Sequence, residues 1–91
     1  MTVTIQGEDI KYDTTALTAQ VGQAVTVNFQ NKGALEHSFL IDELNVKMEK
    51  VAAGQNATAT FTPASAGTYT FYCDVAGHKD AGMVGTLTVS P

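Results

Sequence analysis

Short runs of alternating apolar and polar residues are the feature that most limits how this chain can fold. The clearest run is 24–30, in which Val25, Val27 and Phe29 would face one side of a strand and polar residues the other. Side chains on a strand point alternately to its two faces, whereas no stretch here shows a sustained helical period. The alternation predicts strands at 2–6, 16–21, 24–30, 37–41, 58–62, 68–73 and 83–89.

Frequent turn signals separate these strands. Asn31-Lys32-Gly33 and the segment 63–67 have the composition of turns. Short strands divided by turns are typical of an all-β sandwich or barrel. Two stretches fit the pattern less well. We expect 7–13 to be a polar turn with Ile10 and Tyr12 as its buried points, and 42–50 to be a turn of helix or an irregular excursion.

The length and net charge of the chain restrict its domain organisation and the kinds of partner it can bind. With 91 residues, the chain is predicted to be a single domain spanning 1–91. Nine acidic residues against five basic ones give a net charge of −4. Because binding to nucleic acid needs clustered positive charge, we expect no nucleic-acid partner. A basic protein partner, attracted by charge, fits this composition better.

The single cysteine excludes an internal disulfide. No apolar run is long enough to predict a transmembrane helix. The segment beginning at Met1 lacks the charged and apolar regions of a signal peptide. The mature part of an exported protein would have the same appearance, so these features leave the compartment open.

One stretch near the C-terminus gathers the chemically distinctive residues. It contains the pattern Cys-x4-His-x4-Met, formed by Cys73, His78 and Met83, and the other histidine of the chain is His37. Each residue alone is more often a packing or surface residue than a ligand. Together, one thiolate, two imidazoles and a thioether are the ligand set of a mononuclear electron-transfer copper site.

Strand parity predicts that these residues meet. His37, Cys73 and Met83 each fall on the apolar face of a predicted strand and at its end. If the strands ending at Cys73 and beginning at Met83 run antiparallel, these ends lie close together. The loop 74–82 would then bring His78 to the same pole of the sandwich.

The C-terminal third also resembles a known family. Ala66-Gly67-Thr68-Tyr69-Thr70-Phe71-Tyr72-Cys73, then Gly77-His78 and Gly82-Met83-Val84-Gly85, is similar to the ending of cupredoxins, the type 1 blue copper proteins that include plastocyanin, azurin and auracyanin. This resemblance implies a Greek-key β-sandwich of about seven or eight strands with the metal site at one pole. It implies one copper ion, with His37, Cys73 and His78 as equatorial ligands and Met83 as the axial ligand. It also implies an extracytoplasmic location, periplasmic or at the cell surface.

The chain departs from the family at two positions. Ser38 follows the first histidine, where the family often has asparagine, which leaves the contact between the two ligand segments open. Val75 stands where plastocyanin has proline, so its backbone N–H is expected to be free to donate to the thiolate.

The resulting hypothesis is a small, monomeric electron carrier, not an enzyme, with no small-molecule substrate. The loop around His78 is rich in small residues, so the edge of its ring is expected to reach the surface. Redox protein partners, basic ones among them, are expected to dock there, where Ala34, Leu35 and Met83 would form an apolar patch. Five acidic residues are expected to form a solvated rim: Glu36, Asp42, Glu43, Asp74 and Asp80. Tyr72 is expected to pack on the outer sheet face. Two alternatives remain: an excised domain of a larger copper enzyme, and a copper-storage or zinc-binding structural module.

Overall fold

Nine strands and one 3-10 turn make up the protein in a computed structural model that describes all residues, 1–91. They are β1 (Thr2–Glu8), β2 (Lys11–Tyr12), β3 (Ala16–Gln20), β4 (Val25–Asn31), β5 (His37–Ile41), the 3-10 turn (Asp42–Leu44), β6 (Val46–Val51), β7 (Asn56–Phe61), β8 (Gly67–Tyr72) and β9 (Val84–Ser90). The predicted all-β class is confirmed.

The strands form two sheets that pack as a sandwich. One sheet has the order β2-β1-β4-β7, and the other has the order β3-β9-β8-β5-β6. Parallel pairs, β1 with β4 and β3 with β9, lie beside antiparallel ones. The strands β5, β8 and β9, at whose ends the predicted ligands His37, Cys73 and Met83 lie, are neighbours in the second sheet, and β8 runs antiparallel to both others. This arrangement brings the end of β8 and the start of β9 together, as strand parity predicts.

The core follows the predicted alternation. Val25, Val27 and Phe29 are fully or almost fully buried along β4, with half-buried polar residues between them. Aromatic rings from the two sheets meet in the middle: Tyr12, Phe29, Phe39 and Phe71 contact one another with centroids 5.0–6.2 Å apart. Such contacts stabilise the interior beyond the burial of area alone.

Gly85 makes room for this aromatic cluster. It lies on the inward face of β9, and a Cβ there would collide with the ring of Phe71. The absence of a side chain therefore lets the Phe71 ring lie directly on the backbone of β9.

Two strands were not predicted. Within 7–13, the expected turn is a hairpin that contains β2, and β1 continues to Glu8; Tyr12 is buried as expected, whereas Ile10 is half-buried. Within 42–50, the turn of helix is confirmed but is followed by β6. Charged residues at 47, 49 and 50 obscured the alternation of Val46 and Met48 in this strand. The total is therefore nine strands, not seven or eight.

No helix in the structure has the length and apolar composition needed to cross a membrane.

Candidate metal centre

Three of the four predicted ligands converge at one pole of the sandwich. His37 is the first residue of β5, Cys73 directly follows β8, and His78 lies in the loop between β8 and β9. His37 and Cys73 are completely buried and His78 is 7% exposed. One donor atom from each residue lies within 4.8 Å of the other two. Because they come from three separate elements, only the folded chain brings them together.

The spacing of the donors fits a single small cation. Nδ1 of His78 lies 3.2 Å from Nδ1 of His37 and 3.4 Å from Sγ of Cys73. Nitrogen and sulfur donors that hold a common ion at tetrahedral angles stand roughly 3.3–3.6 Å apart, from bond lengths of about 2.0–2.3 Å. Imidazole and thiolate suit copper and zinc, and two histidines with one cysteine form the trigonal set of blue-copper sites.

A tightly hydrogen-bonded loop positions His78. Within 74–82, His78 N–H donates to the carbonyl of Val75, and Gly82 N–H donates to that of Lys79. Gly77 and Gly82 have φ of 81° and 113°, a region that favours glycine, so the turns on both sides of His78 depend on them. The loop is thereby ordered by its own backbone.

Only one edge of the His78 ring reaches solvent. Its Nδ1 faces the cluster, and its Nε2 makes no hydrogen bond within the protein. Every buried side-chain nitrogen or oxygen in the protein has a hydrogen-bond partner. Because Nε2 of His78 has none, it is not buried and is accessible to water. This agrees with the predicted exposure of the ring edge.

Met83 is attached to the site through its backbone. Its N–H donates to the carbonyl of His78, and its own carbonyl accepts from the N–H of Cys73. The side chain is completely buried, with its methyl group close to Gly7. The expectation that Met83 contributes to an exposed apolar patch is therefore wrong: burial on the inward face of the sheet removes it from the surface. Its role as the axial ligand stays a prediction.

Ser38 and Asp74 join the two ligand segments. The Ser38 hydroxyl donates to Oδ1 of Asp74 at 2.6 Å and accepts from the Asp74 N–H at 2.8 Å. These residues directly follow His37 and Cys73, so the contact fixes the two ligands relative to each other. A serine therefore fills the position where the family often has asparagine. No hydrogen bond connects the Val75 N–H to the Cys73 sulfur.

A carboxylate that no sequence pattern predicted lies behind His37. Oδ1 of Asp9 lies 2.7 Å from Nε2 of His37, and the carboxylate also accepts the N–H groups of Ala34 and Leu35. The hydrogen bond from Ala34 lowers the pKa of Asp9 the most, and the one with His37 lowers it further. Asp9 was part of a predicted polar turn, and nothing in its spacing connects it with His37.

Two further polar residues hold β5 and the loop before it. The buried Asn31 side chain donates to the carbonyls of Leu35 and Val51 and accepts the N–H of Gly33. Tyr12 donates its hydroxyl to the carbonyl of Ser38 at 2.7 Å. Burial raises the pKa of Tyr12, and the neighbouring Cys73 and Asp74 raise it further.

The surface around the cluster is acidic. All five predicted rim residues are exposed: Glu36, Asp42, Glu43, Asp74 and Asp80. Tyr72 is half-buried on the outer face, where its hydroxyl donates to Asp42 and Lys79 lies 4.7 Å from its ring. The hydrogen bond to Asp42 raises the pKa of Tyr72. A shallow groove of about 250 Å³ opens beside Tyr72, and Asp74, Lys79 and Asp80 are among the residues that line it.

A β-sandwich with a buried histidine, cysteine and histidine cluster at one pole defines a class of small copper proteins. The cupredoxin-like domain model matches residues 1–89. The chain belongs to this family, and His37, Cys73 and His78 form its candidate single copper site.

Two curated relatives show how far the similarity extends. Auracyanin-A of Chloroflexus aurantiacus is 30% identical, with 93% of this chain and 70% of the relative covered. Plastocyanin of Nostoc punctiforme is 46% identical over 64% of this chain and 41% of the relative. The chain therefore spans much of one relative and less than half of the other.

Solved structures share the fold closely. Reduced auracyanin from Roseiflexus castenholzii has a TM-score of 0.90 at 27% identity, with 99% of this chain and 97% of that one covered. A copper nitrite reductase from Nitrosomonas europaea has a TM-score of 0.88 at 18% identity, with all of this chain matching 41% of that one. At 18% identity, the similarity to the nitrite reductase concerns the fold alone.

Proposed function

We propose that this protein is a one-electron carrier that holds a single type 1 copper ion with His37, Cys73 and His78, and with Met83 as a weak axial ligand. The observation that carries the proposal is the convergence of three buried donor atoms within 4.8 Å at one pole. Bound copper would supply the Cu(II)/Cu(I) couple. Similarity to auracyanins, one of them described as a "blue" copper protein, supports the choice of metal.

The residues around the ligands favour electron transfer because they hold the donors in place before any metal binds. The pair Ser38–Asp74 joins two ligand segments, Asn31 anchors the loop before His37, and backbone hydrogen bonds order the loop that carries His78. A site whose ligands are fixed by neighbours needs little rearrangement when its charge changes. Burial of His37 and Cys73 also keeps water away from two of the donors.

A visible absorption spectrum tests this proposal. Adding Cu(II) to the metal-free protein should produce the intense charge-transfer band of a copper–thiolate bond, and a reductant should bleach it. Zinc bound by the same residues would give no band, which separates the carrier from a zinc-binding structural module.

Replacing the thiolate provides the decisive variant. Cys73→Ser should abolish the band and most of the copper affinity, because a serine hydroxyl stays protonated near neutral pH and is a poor ligand. Ser90→Ala, an exposed change at the end of β9, is the control and should keep the colour. An intact band in Cys73→Ser would eliminate this site.

We further propose that the chain is not itself an enzyme. A catalytic second copper would need additional histidines, and His37 and His78 are the two histidines in the sequence. The likeness to nitrite reductase concerns the fold and covers 41% of that chain. Nitrite or oxygen turnover by the copper-loaded protein would contradict the assignment.

Partners and location belong to the same proposal. We infer that redox proteins dock at the pole where His78 reaches solvent. Support comes from the net charge of −4, the exposed acidic residues there, and Ala34 and Leu35, which lie exposed just before His37. An extracytoplasmic site of action suits a carrier related to auracyanin and plastocyanin. Fractionation of cells producing the native protein would test the location.

A further inference from the structure

The carboxylate of Asp9 is built against the ring of His37. Asp9 follows β1, far from His37 in sequence, and its Oδ1 lies 2.7 Å from Nε2 of the completely buried histidine. The same carboxylate accepts the N–H of Ala34 at 2.9 Å through Oδ2 and that of Leu35 at 3.3 Å through Oδ1. Three donors therefore hold the carboxylate in one orientation.

Gly33 makes this close approach possible. A Cβ at position 33 would overlap Oδ1 of Asp9 and would lie 3.0 Å from Nε2 of His37. The backbone of Gly33 is itself held by Asn31, whose Oδ1 accepts its N–H. Asp9 can therefore approach His37 because residue 33 has no side chain and its backbone is held in place.

The contact determines which nitrogen of His37 carries hydrogen. An ionised carboxylate only accepts hydrogen bonds, so Nε2 must be the donor. In the neutral ring, Nδ1 is then left with a lone pair that faces Nδ1 of His78 at 3.2 Å. Histidine ligands are commonly fixed in this way, by a partner on the nitrogen that does not bind the metal.

We propose that Asp9 is a positioning residue of the copper centre, which fixes the tautomer and orientation of His37 and places a negative charge behind this ligand. The inference rests on the proposed function for its effect on copper. A negative charge favours the more positive state of the centre, so Asp9 should strengthen Cu(II) binding more than Cu(I) binding and lower the reduction potential.

The first test is Asp9→Asn, which removes the charge and retains an oxygen that can accept from the Ala34 amide. Asp13→Asn is the matched control. Asp13 lies in the same hairpin and accepts the N–H of Gln6 at 2.9 Å, but its carboxylate makes no hydrogen bond to His37. Gly33→Ala is a second variant, which keeps the Asp9 charge while its methyl group forces the carboxylate away from His37.

Nitrogen NMR of the metal-free proteins measures the tautomer directly. The wild type and Asp13→Asn should show His37 protonated at Nε2, with a hydrogen-bonded N–H signal. In Asp9→Asn and Gly33→Ala this signal should weaken or move. A His37 ring protonated only at Nδ1 in the wild type, or an unchanged Nε2–H signal in both variants, would overturn the proposal, whether or not the protein binds copper.

Copper titration and voltammetry measure the consequence. Loss of a partner of this kind typically costs about 10- to 100-fold in metal affinity, and we expect Asp9→Asn to lose that much for Cu(II). If Cu(I) affinity falls about tenfold less, the potential rises by about 59 mV. Asp13→Asn should differ from the wild type by less than half of this shift. Equal potentials in Asp9→Asn and the wild type, both coloured, would overturn the effect on copper and leave the proposed function intact.

Discussion

The two candidate histidine ligands differ in what their second ring nitrogen contacts. Nε2 of His37 meets a carboxylate inside the protein, whereas Nε2 of His78 makes no protein hydrogen bond and reaches solvent. The two imidazoles therefore differ in their surroundings: His37 is held by a partner inside the protein, and the ring of His78 extends from the site to the surface. This difference comes from the contacts of each residue and not from its type.

Met83 should tune the site without being needed to form it. A thioether is a weak, soft axial donor that favours Cu(I), and the axial ligand is a known determinant of potential. Met83→Gln supplies a harder oxygen and should lower the potential. Met83→Leu removes the donor at similar volume and should raise it, and both variants should stay coloured because Cys73 remains.

Voltammetry on the three proteins checks this order, with Leu above Met and Met above Gln. Met48→Leu is a control, since Met48 is buried on β6 and is not a predicted ligand. Three equal potentials at position 83 would make Met83 a core residue and not an axial ligand.

Among the features of the strands, the alternation of buried and exposed side chains is what the sequence predicts best. Alternation placed His37, Cys73 and Met83 inward, and this holds because a sheet with one buried face fixes which side chains enter the core. The alternation is interrupted in β6, because Val46 and Met48 are buried two residues apart but the next buried residue, Val51, comes three residues later. A register shift between His37 and Phe39 in the pairing with β5 breaks the period of two.

Contacts between distant polar residues were beyond sequence reasoning. Asp9 meets His37 only because the hairpin of β1 and β2 folds over the loop before β5. Asn31 was predicted as a turn residue, yet its side chain is buried and makes three hydrogen bonds. Neither role produces a period or a motif, because each depends on how two separate elements are placed.

The bond from Tyr12 in β2 to Ser38 in β5 should contribute to stability in a pH-dependent manner. Tyr12→Phe removes the donor and leaves a buried carbonyl without its partner, at a cost of about 1–3 kcal/mol in the free energy of unfolding. Burial raises the folded-state pKa of Tyr12 above its unfolded value of about 10. The stabilisation is therefore fully present below about pH 10 and declines above it, as the unfolded chain ionises.

Urea unfolding of the metal-free wild type and Tyr12→Phe between pH 7 and pH 11 measures this difference. Tyr69→Phe is the control, because its hydroxyl donates to the carbonyl of Ser65 at an exposed position. A wild-type advantage that is absent at pH 7, or that grows above pH 10, would contradict the role given to Tyr12.

Several of the exposed carboxylates of the protein are neighbours in sequence of the candidate ligands. Exposed carboxylates occur just before His37, just after Cys73 and within the loop that carries His78, and Lys79 is the cation among them, held over the ring of Tyr72. Each of the three segments that carry a candidate ligand therefore also carries an exposed carboxylate. Clustered charge of one sign raises the rate of encounter with partners of the opposite sign.

Electron exchange with a positively charged partner should therefore slow as salt is added. The screening length shortens from about 10 Å at 0.1 M to about 3 Å at 1 M, so attraction beyond direct contact is lost. Stopped-flow rates with a basic acceptor protein should fall by roughly tenfold or more over this range. Asp80→Asn, in the loop that carries His78, should flatten the profile more than Glu49→Gln on β6, which removes the same charge outside that loop. A flat or rising profile in the wild type would assign docking to the apolar residues Ala34 and Leu35 instead, since contacts between apolar surfaces do not weaken with salt.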